Sequence, residues 1–259
     1  MNARPPDFER LLKAAVLKIL QETPSVPMET DLNPSNLGTR EYWDDTYSTE
    51  LQNYEDSNGV DVGEIWFGFE SERRIVNWIS KMDILKSAQI LDIGSGNGSM
   101  LLSLHKNEYT NLTGIDYSEA AVSLATKVAT DRRINTITYR LADITASAEA
   151  QQSVPEIFDR KFDLCIDKGT YDAVCLAPEN SKEKRVAYME NVAKILHSDG
   201  YLIVTSCNWT KDELITQFTD FTFIDELPAP HFQFGGRSGN TVTALVFKHP
   251  VQRYRCLHK

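Results

Sequence analysis

The chain is short of cysteine, of long apolar runs and of positive charge, and each shortage removes a class of protein. Its four cysteines, Cys165, Cys175, Cys207 and Cys256, are scattered through 259 residues with no C-x-x-C pair. Neither a disulfide framework nor a metal site is expected from that spacing. No apolar run nears the roughly 20 residues that cross a bilayer, so no membrane partner is expected. The first residues do not read as a signal peptide. The expectation is a cytoplasmic protein, with the nucleus open as a second compartment. Lysine and arginine number 27 against 37 acidic residues, a net charge of −10. That balance argues against the broad basic footprint that direct nucleic-acid binding needs. It favours a basic protein partner through complementary fields.

What is present is ordinary soluble composition, 41% hydrophobic and 25% charged, enough for one large domain with an extension. The organising stretch is Ala88–Ser99, AQILDIGSGNGS. Ile90, Leu91 and Ile93 form a short buried strand, and Met100, Leu101, Leu102 and Leu104 resume at helical spacing, so the glycines sit at a strand-to-helix turn. Glycine accepts positive φ and, lacking Cβ, lets the backbone approach a ligand closely. Two features depart from a dinucleotide fingerprint: Ser99 stands where its last glycine belongs, and Asp92 is an acid close to where a pyrophosphate would lie. The stretch resembles motif I of the class I S-adenosylmethionine-dependent methyltransferases. That resemblance implies cofactor contacts from Asp92, Gly94, Gly96, Asn97 and Gly98. A nicotinamide site and a ligand-free glycine turn remain as alternatives on these residues alone.

The rest of the chain fills in around this stretch. Residues 1–22 carry an amphipathic helical pattern, 23–36 are a proline-marked linker, 37–249 form the domain, and the tail 250–259 is expected to be disordered. Thr39 is positioned to cap a helix that carries Tyr42, Trp43 and Tyr47 on one face, either as core or as a cofactor cover. Trp66 and Phe67, between Gly63 and Gly68, are either a wall of a substrate channel or a buried anchor. A second strand ends at Asp116, about twenty residues past the glycines, where a ribose-binding carboxylate belongs; Tyr117 follows it. Ser118 is placed to cap the next helix. A third strand ends at Asp143 and Ile144. A fourth, Phe162–Asp167, opens into Lys168, Gly169 and Thr170, beside the expected reaction centre. Asp167 either holds an incoming amine or fixes its own loop. A helix over 183–196 is predicted to bury Val186, Met189, Val192, Ala193 and Leu196 and to stop at Asp199-Gly200. A fifth strand, 201–205, and two closing strands complete an α/β, doubly wound, seven-stranded mixed sheet whose last strand is antiparallel.

Further stretches narrow the resemblance: GEIWFG (63–68), DKGTYDA (167–173), SCNWTKDEL (206–214), FGGRSGN (234–240) and LGTREYW (37–43). Taken in order they are similar to the eukaryotic translation elongation factor 1-alpha lysine methyltransferase 2 family. The resemblance implies S-adenosyl-L-methionine as cofactor and a lysine of elongation factor 1-alpha as substrate, with the enzyme working as a monomer. It also implies adenine contacts at Asp143 and Ile144, a catalytic Asp167, and substrate contacts from Trp66, Lys168, Gly169, Thr170, Asn208 and Trp209. The loop lacks the Asn/Asp-Pro-Pro-aromatic motif of base-amine methyltransferases. A methyltransferase of another substrate and a silent cofactor-binding module are the rival readings.

Overall fold

The computed structural model describes residues 31–228, 233–234, 237–238 and 242–249. The predicted N-terminal helix, the predicted linker up to residue 30, most of FGGRSGN and the tail lie outside these residues. The compact unit that holds the site begins at Leu32. Leu32 packs on the core and the Ser35 N–H donates to the Leu176 carbonyl, so packing starts before Leu37.

Seven strands form one sheet: β1 (Ile90–Ile93), β2 (Leu112–Asp116), β3 (Ile137–Leu141), β4 (Phe162–Lys168), β5 (Leu196–Ser206), β6 (Thr222–Glu226) and β9 (Thr243–Lys248). Residues 233–234 (β7) and 237–238 (β8) pair separately as a two-stranded ladder. The order across the sheet is β3-β2-β1-β4-β5-β9-β6, with β9 antiparallel to both neighbours. Because β1 is flanked by β2 and β4, the connections leave in opposite directions there, and a crevice opens beyond the carboxyl ends of these strands.

Alternation along the strands divides the core. Ile90, Leu164, Ile166, Ile203 and Val246 face one layer, which includes α1 (Arg40–Asp56), α2 (Gly68–Lys81), α3 (Ser99–Lys106) and α4 (Glu119–Asp131). Leu91, Ile93, Cys165, Leu202 and Phe247 face the other, which includes α6 (Pro155–Phe158), α7 (Thr170–Cys175), α8 (Ser181–Ile195) and α9 (Lys211–Gln217); the short α5 (Ala148–Gln151) precedes α6. Burying both faces explains why β1 is buried at all four positions rather than alternating. Thr39 accepts the Tyr42 N–H, and Thr210 with Glu213 forms a complete capping box on α9.

Two expectations need correction. The predicted stop at Asp199-Gly200 is wrong: α8 ends at Ile195 and Leu196 already pairs with Phe162 as the start of β5. Ladder pairing overrides a local glycine signal there. The buried face of α8 is also rotated from the predicted one. Tyr188, Asn191, Val192 and Ile195 point inward, and Val186 is 58% exposed. The polar Tyr188 and Asn191 were invisible to an apolar count because their burial depends on partners across the fold.

Candidate functional site: the crevice at the carboxyl ends of β1, β2 and β4

Gly94, Gly96 and Gly98 all adopt positive φ, at 67°, 50° and 78°. Close approach matters equally. A Cβ on Gly94 would collide with Thr170 Oγ1, one on Gly96 with the Tyr47 hydroxyl, and one on Gly98 with the Tyr139 hydroxyl. The glycines therefore admit three side chains from distant elements. The Thr170 hydroxyl then donates to the Ile93 carbonyl at 2.7 Å, tying the β4 loop to the glycine loop. Asn97 is spent within the protein: Nδ2 donates to the Val62 and Glu64 carbonyls, both at 3.0 Å, and Oδ1 accepts the Ser99 N–H. These bonds fasten the 62–64 segment to the glycine loop.

Asp116 ends β2 and faces the cavity. Oδ2 accepts the Gly96 N–H and Oδ1 the Ser118 N–H, both at 3.0 Å. Burial pushes its carboxyl up to about 6, against the backbone hydrogen bonds that favour the ionised form. Ser118 does not cap α4 with its side chain, contrary to expectation; its hydroxyl is buried without a partner. Asp116 instead holds the N-cap residue itself through its N–H. Tyr117, Ala142 and Ile144 line the cavity beside it, and the Arg40 guanidinium sits 4.9 Å from the Tyr117 ring centre and donates to the Tyr117 carbonyl. Asp143 lies outside the lining residues and accepts the Thr145 N–H and hydroxyl through Oδ1. Asp92 is 2% exposed in β1, behind the cavity, and burial raises its carboxyl to about 8 despite the nearby Lys168 charge.

The β4 loop yields the main correction. Asp167 is fully buried and does not line the cavity. Its carboxylate accepts the Thr170 N–H (2.9 Å), the Tyr171 N–H (3.0 Å) and the Tyr188 hydroxyl (2.6 Å), so it caps the start of α7. Burial pushes it up to about 7, opposed by those hydrogen bonds. These bonds fix the β4 loop, and the carboxylate has no face on the cavity. Asp172, five residues on, does line the cavity. It is held by the Ser206 hydroxyl and the Cys207 N–H, and burial raises its pKa. The Cys207 thiol also borders the cavity but is pushed up to about 11 by burial and by Asp172, which removes it as a nucleophile at neutral pH. Asn208 lines the cavity as predicted, whereas Trp209 is 4% exposed and packs in the core.

An aromatic wall closes the other side. Trp43 and Tyr47 stack at 5.9 Å, and Trp43 meets Trp66 edge-on at 4.8 Å. All three line the cavity together with Phe67, whose ring abuts Gly169. Core and cover, left as alternatives by the sequence, are here the same residues. Sequence reasoning missed Leu37, Asp172 and Leu176 as cavity residues, although Leu37 and Asp172 stand inside the stretches singled out above.

A nucleoside fits this arrangement better than a phosphate-bearing ligand. Asp116 offers a buried acceptor to hydroxyls, apolar side chains flank it, and acids at Asp116 and Asp172 would oppose a pyrophosphate. Strand order, glycine loop and acid-ended strands together define a Rossmann-like methyltransferase. Consistent with that class, residues 84–231 match the family described as methyltransferase domain. The chain is 46% identical over 220 residues to EEF1A lysine methyltransferase 2 of Danio rerio, covering 84% of this chain and 90% of that protein. It is 44% identical to the Homo sapiens protein of the same name, covering 86% and 90%. The solved N-methyltransferase NodS from Bradyrhizobium japonicum, in complex with S-adenosyl-l-homocysteine, shares the fold at a TM-score of 0.56 and 18% identity, over 80% of this chain and 98% of that one. The chain belongs to the EEF1A lysine methyltransferase 2 family.

Proposed function

We propose that this protein transfers a methyl group from S-adenosyl-L-methionine to a lysine side chain of translation elongation factor 1-alpha, in the cytoplasm. The observation that carries the cofactor half is the buried Asp116 carboxylate facing the cavity beside the glycine loop. Family membership carries the substrate half. When bound, the cofactor supplies an electrophilic methyl on a sulfonium.

In this reading Asp116 accepts hydrogen bonds from the ribose hydroxyls, and Ile144, Ala142 and Tyr117 pack around the base. Asp167 holds the β4 loop so that Thr170 can lock onto Ile93. Asp172 and Asn208 receive the lysine at the mouth of the cavity, in place of the amine-holding role first assigned to Asp167. A lysine reacts only when neutral, and its reference pKa is about 10.4. Partial desolvation against Trp43, Trp66 and Phe67 disfavours the charged form. In-line placement supplies much of the remaining acceleration. The net charge of −10 favours a basic protein surface over nucleic acid as partner.

The test uses labelled S-adenosyl-L-methionine, the full chain and purified elongation factor 1-alpha, followed by peptide mapping. Label on a lysine of the factor, insensitive to nuclease, is expected. Absence of label there, with transfer to another acceptor, overturns the substrate assignment.

A further inference from the structure

Two hydrogen-bond donors carried by cavity-lining residues are left without enough partners. The Lys168 ammonium carries three donors. Nζ donates to the Trp66 carbonyl at 3.0 Å, and its ion-pair partner, Glu72 Oε1, stands 3.7 Å away, beyond hydrogen-bond range. Glu72 already accepts the Ser99 and Ser103 hydroxyls. The Trp66 indole N–H is buried and has no partner at all. Both residues line the same cavity, and Lys168 is the one cation among its described lining residues, which also include the acids Asp116 and Asp172.

Position gives these donors a direction. Lys168 ends β4, one residue beyond the Asp167–Ile93 register with β1. It therefore stands across the glycine loop from Asp116, which ends β2 on the other flank. A nucleoside fixed at Asp116 sends its 5′ substituent over β1 toward β4. For the cofactor proposed above, that substituent ends in an α-amino acid, whose carboxylate needs a cation in an acid-rich cavity.

We infer that Lys168 and the Trp66 indole form the subsite for the α-carboxylate at the amino-acid end of the cofactor, an assignment that rests on the cofactor reading above. It moves both residues from substrate to cofactor recognition. The carboxylate accepts a charge-assisted bond from Nζ and a second from Nε1. If Lys168 were only a counter-ion for Glu72, its loss would affect every ligand of the cavity alike.

Calorimetry on the full chain separates these cases with two ligands. S-adenosylhomocysteine has the amino-acid end; 5′-methylthioadenosine keeps the nucleoside and lacks it. In Lys168→Gln, affinity for the first should fall about 10-fold or more while affinity for the second stays within about twofold. Trp66→Phe should show the same selectivity at roughly threefold. Because a lone Glu72 charge could destabilise the single variant, Glu72→Gln with Lys168→Gln removes the pair together, and the same ligand-selective loss is expected. Equal losses for both ligands, or no loss for S-adenosylhomocysteine, overturn the subsite. Wild-type protein that binds neither ligand sinks the cofactor reading itself, and the subsite with it.

Discussion

Asp116 and Asp167 look alike in sequence and do different things. Each closes a parallel strand beside β1, each is followed by a loop and a helix, and burial raises the pKa of both. Asp116 spends one backbone N–H on each oxygen and keeps its remaining acceptor capacity toward the cavity. Asp167 collects two N–H groups of its own loop and the Tyr188 hydroxyl, and has no face on the cavity. An acid at a strand end is therefore only half of a binding site. The other half is whether nearby donors leave it any capacity.

The comparison predicts opposite signatures for the two alanine variants. Asp167→Ala strands three buried donors and should cost about 3 kcal/mol of stability, lowering Tm by roughly 6–10 °C. Its affinity for S-adenosylhomocysteine, corrected for the folded fraction, should hold. Unchanged melting with lost turnover would instead return Asp167 to the reacting atoms. Asp116→Ala should weaken S-adenosylhomocysteine binding by about 2 kcal/mol, near 30-fold, with a smaller change in melting. Intact binding there would end the ribose assignment.

Asp92 supplies a third contrast, because it is an acid within β1 with neither a cavity face nor an assigned donor. Its folded pKa of about 8 lies above the unfolded value near 3.9. The folded protein thus holds a proton that the unfolded chain has lost between about pH 4 and 8. Its contribution to stability is full below that window and is lost as pH rises through 8, at up to about 1.4 kcal/mol per pH unit. Denaturant titrations should show Asp92→Asn with a flatter decline than wild type across that range; identical slopes would mean Asp92 is ionised in the fold.

Much of the architecture was legible. Strand, glycines and helix at 88–104, the acid that ends β2 twenty residues on, and the capping box at Thr210 follow from patterns a few residues long, and the family-like stretches ordered them. The cavity itself was harder to read. DKGTYDA holds two acids five residues apart, and telling Asp167 from Asp172 required knowing that Tyr188 bonds one while Ser206 and Cys207 hold the other where it lines the cavity. Trp209 looked like its neighbour Asn208, yet only Asn208 reaches the cavity.

The sequence alone thus determined the alternation of strands and helices, the positive-φ turn and the acids that end the strands. These depend on backbone conformation and apolar spacing, which act over a few residues. Only the tertiary structure decided which acids face a ligand, which tryptophan is core, and which donors remain unspent. A side chain's capacity is set by partners that arrive from 20 to 100 residues away, and no local pattern contains them.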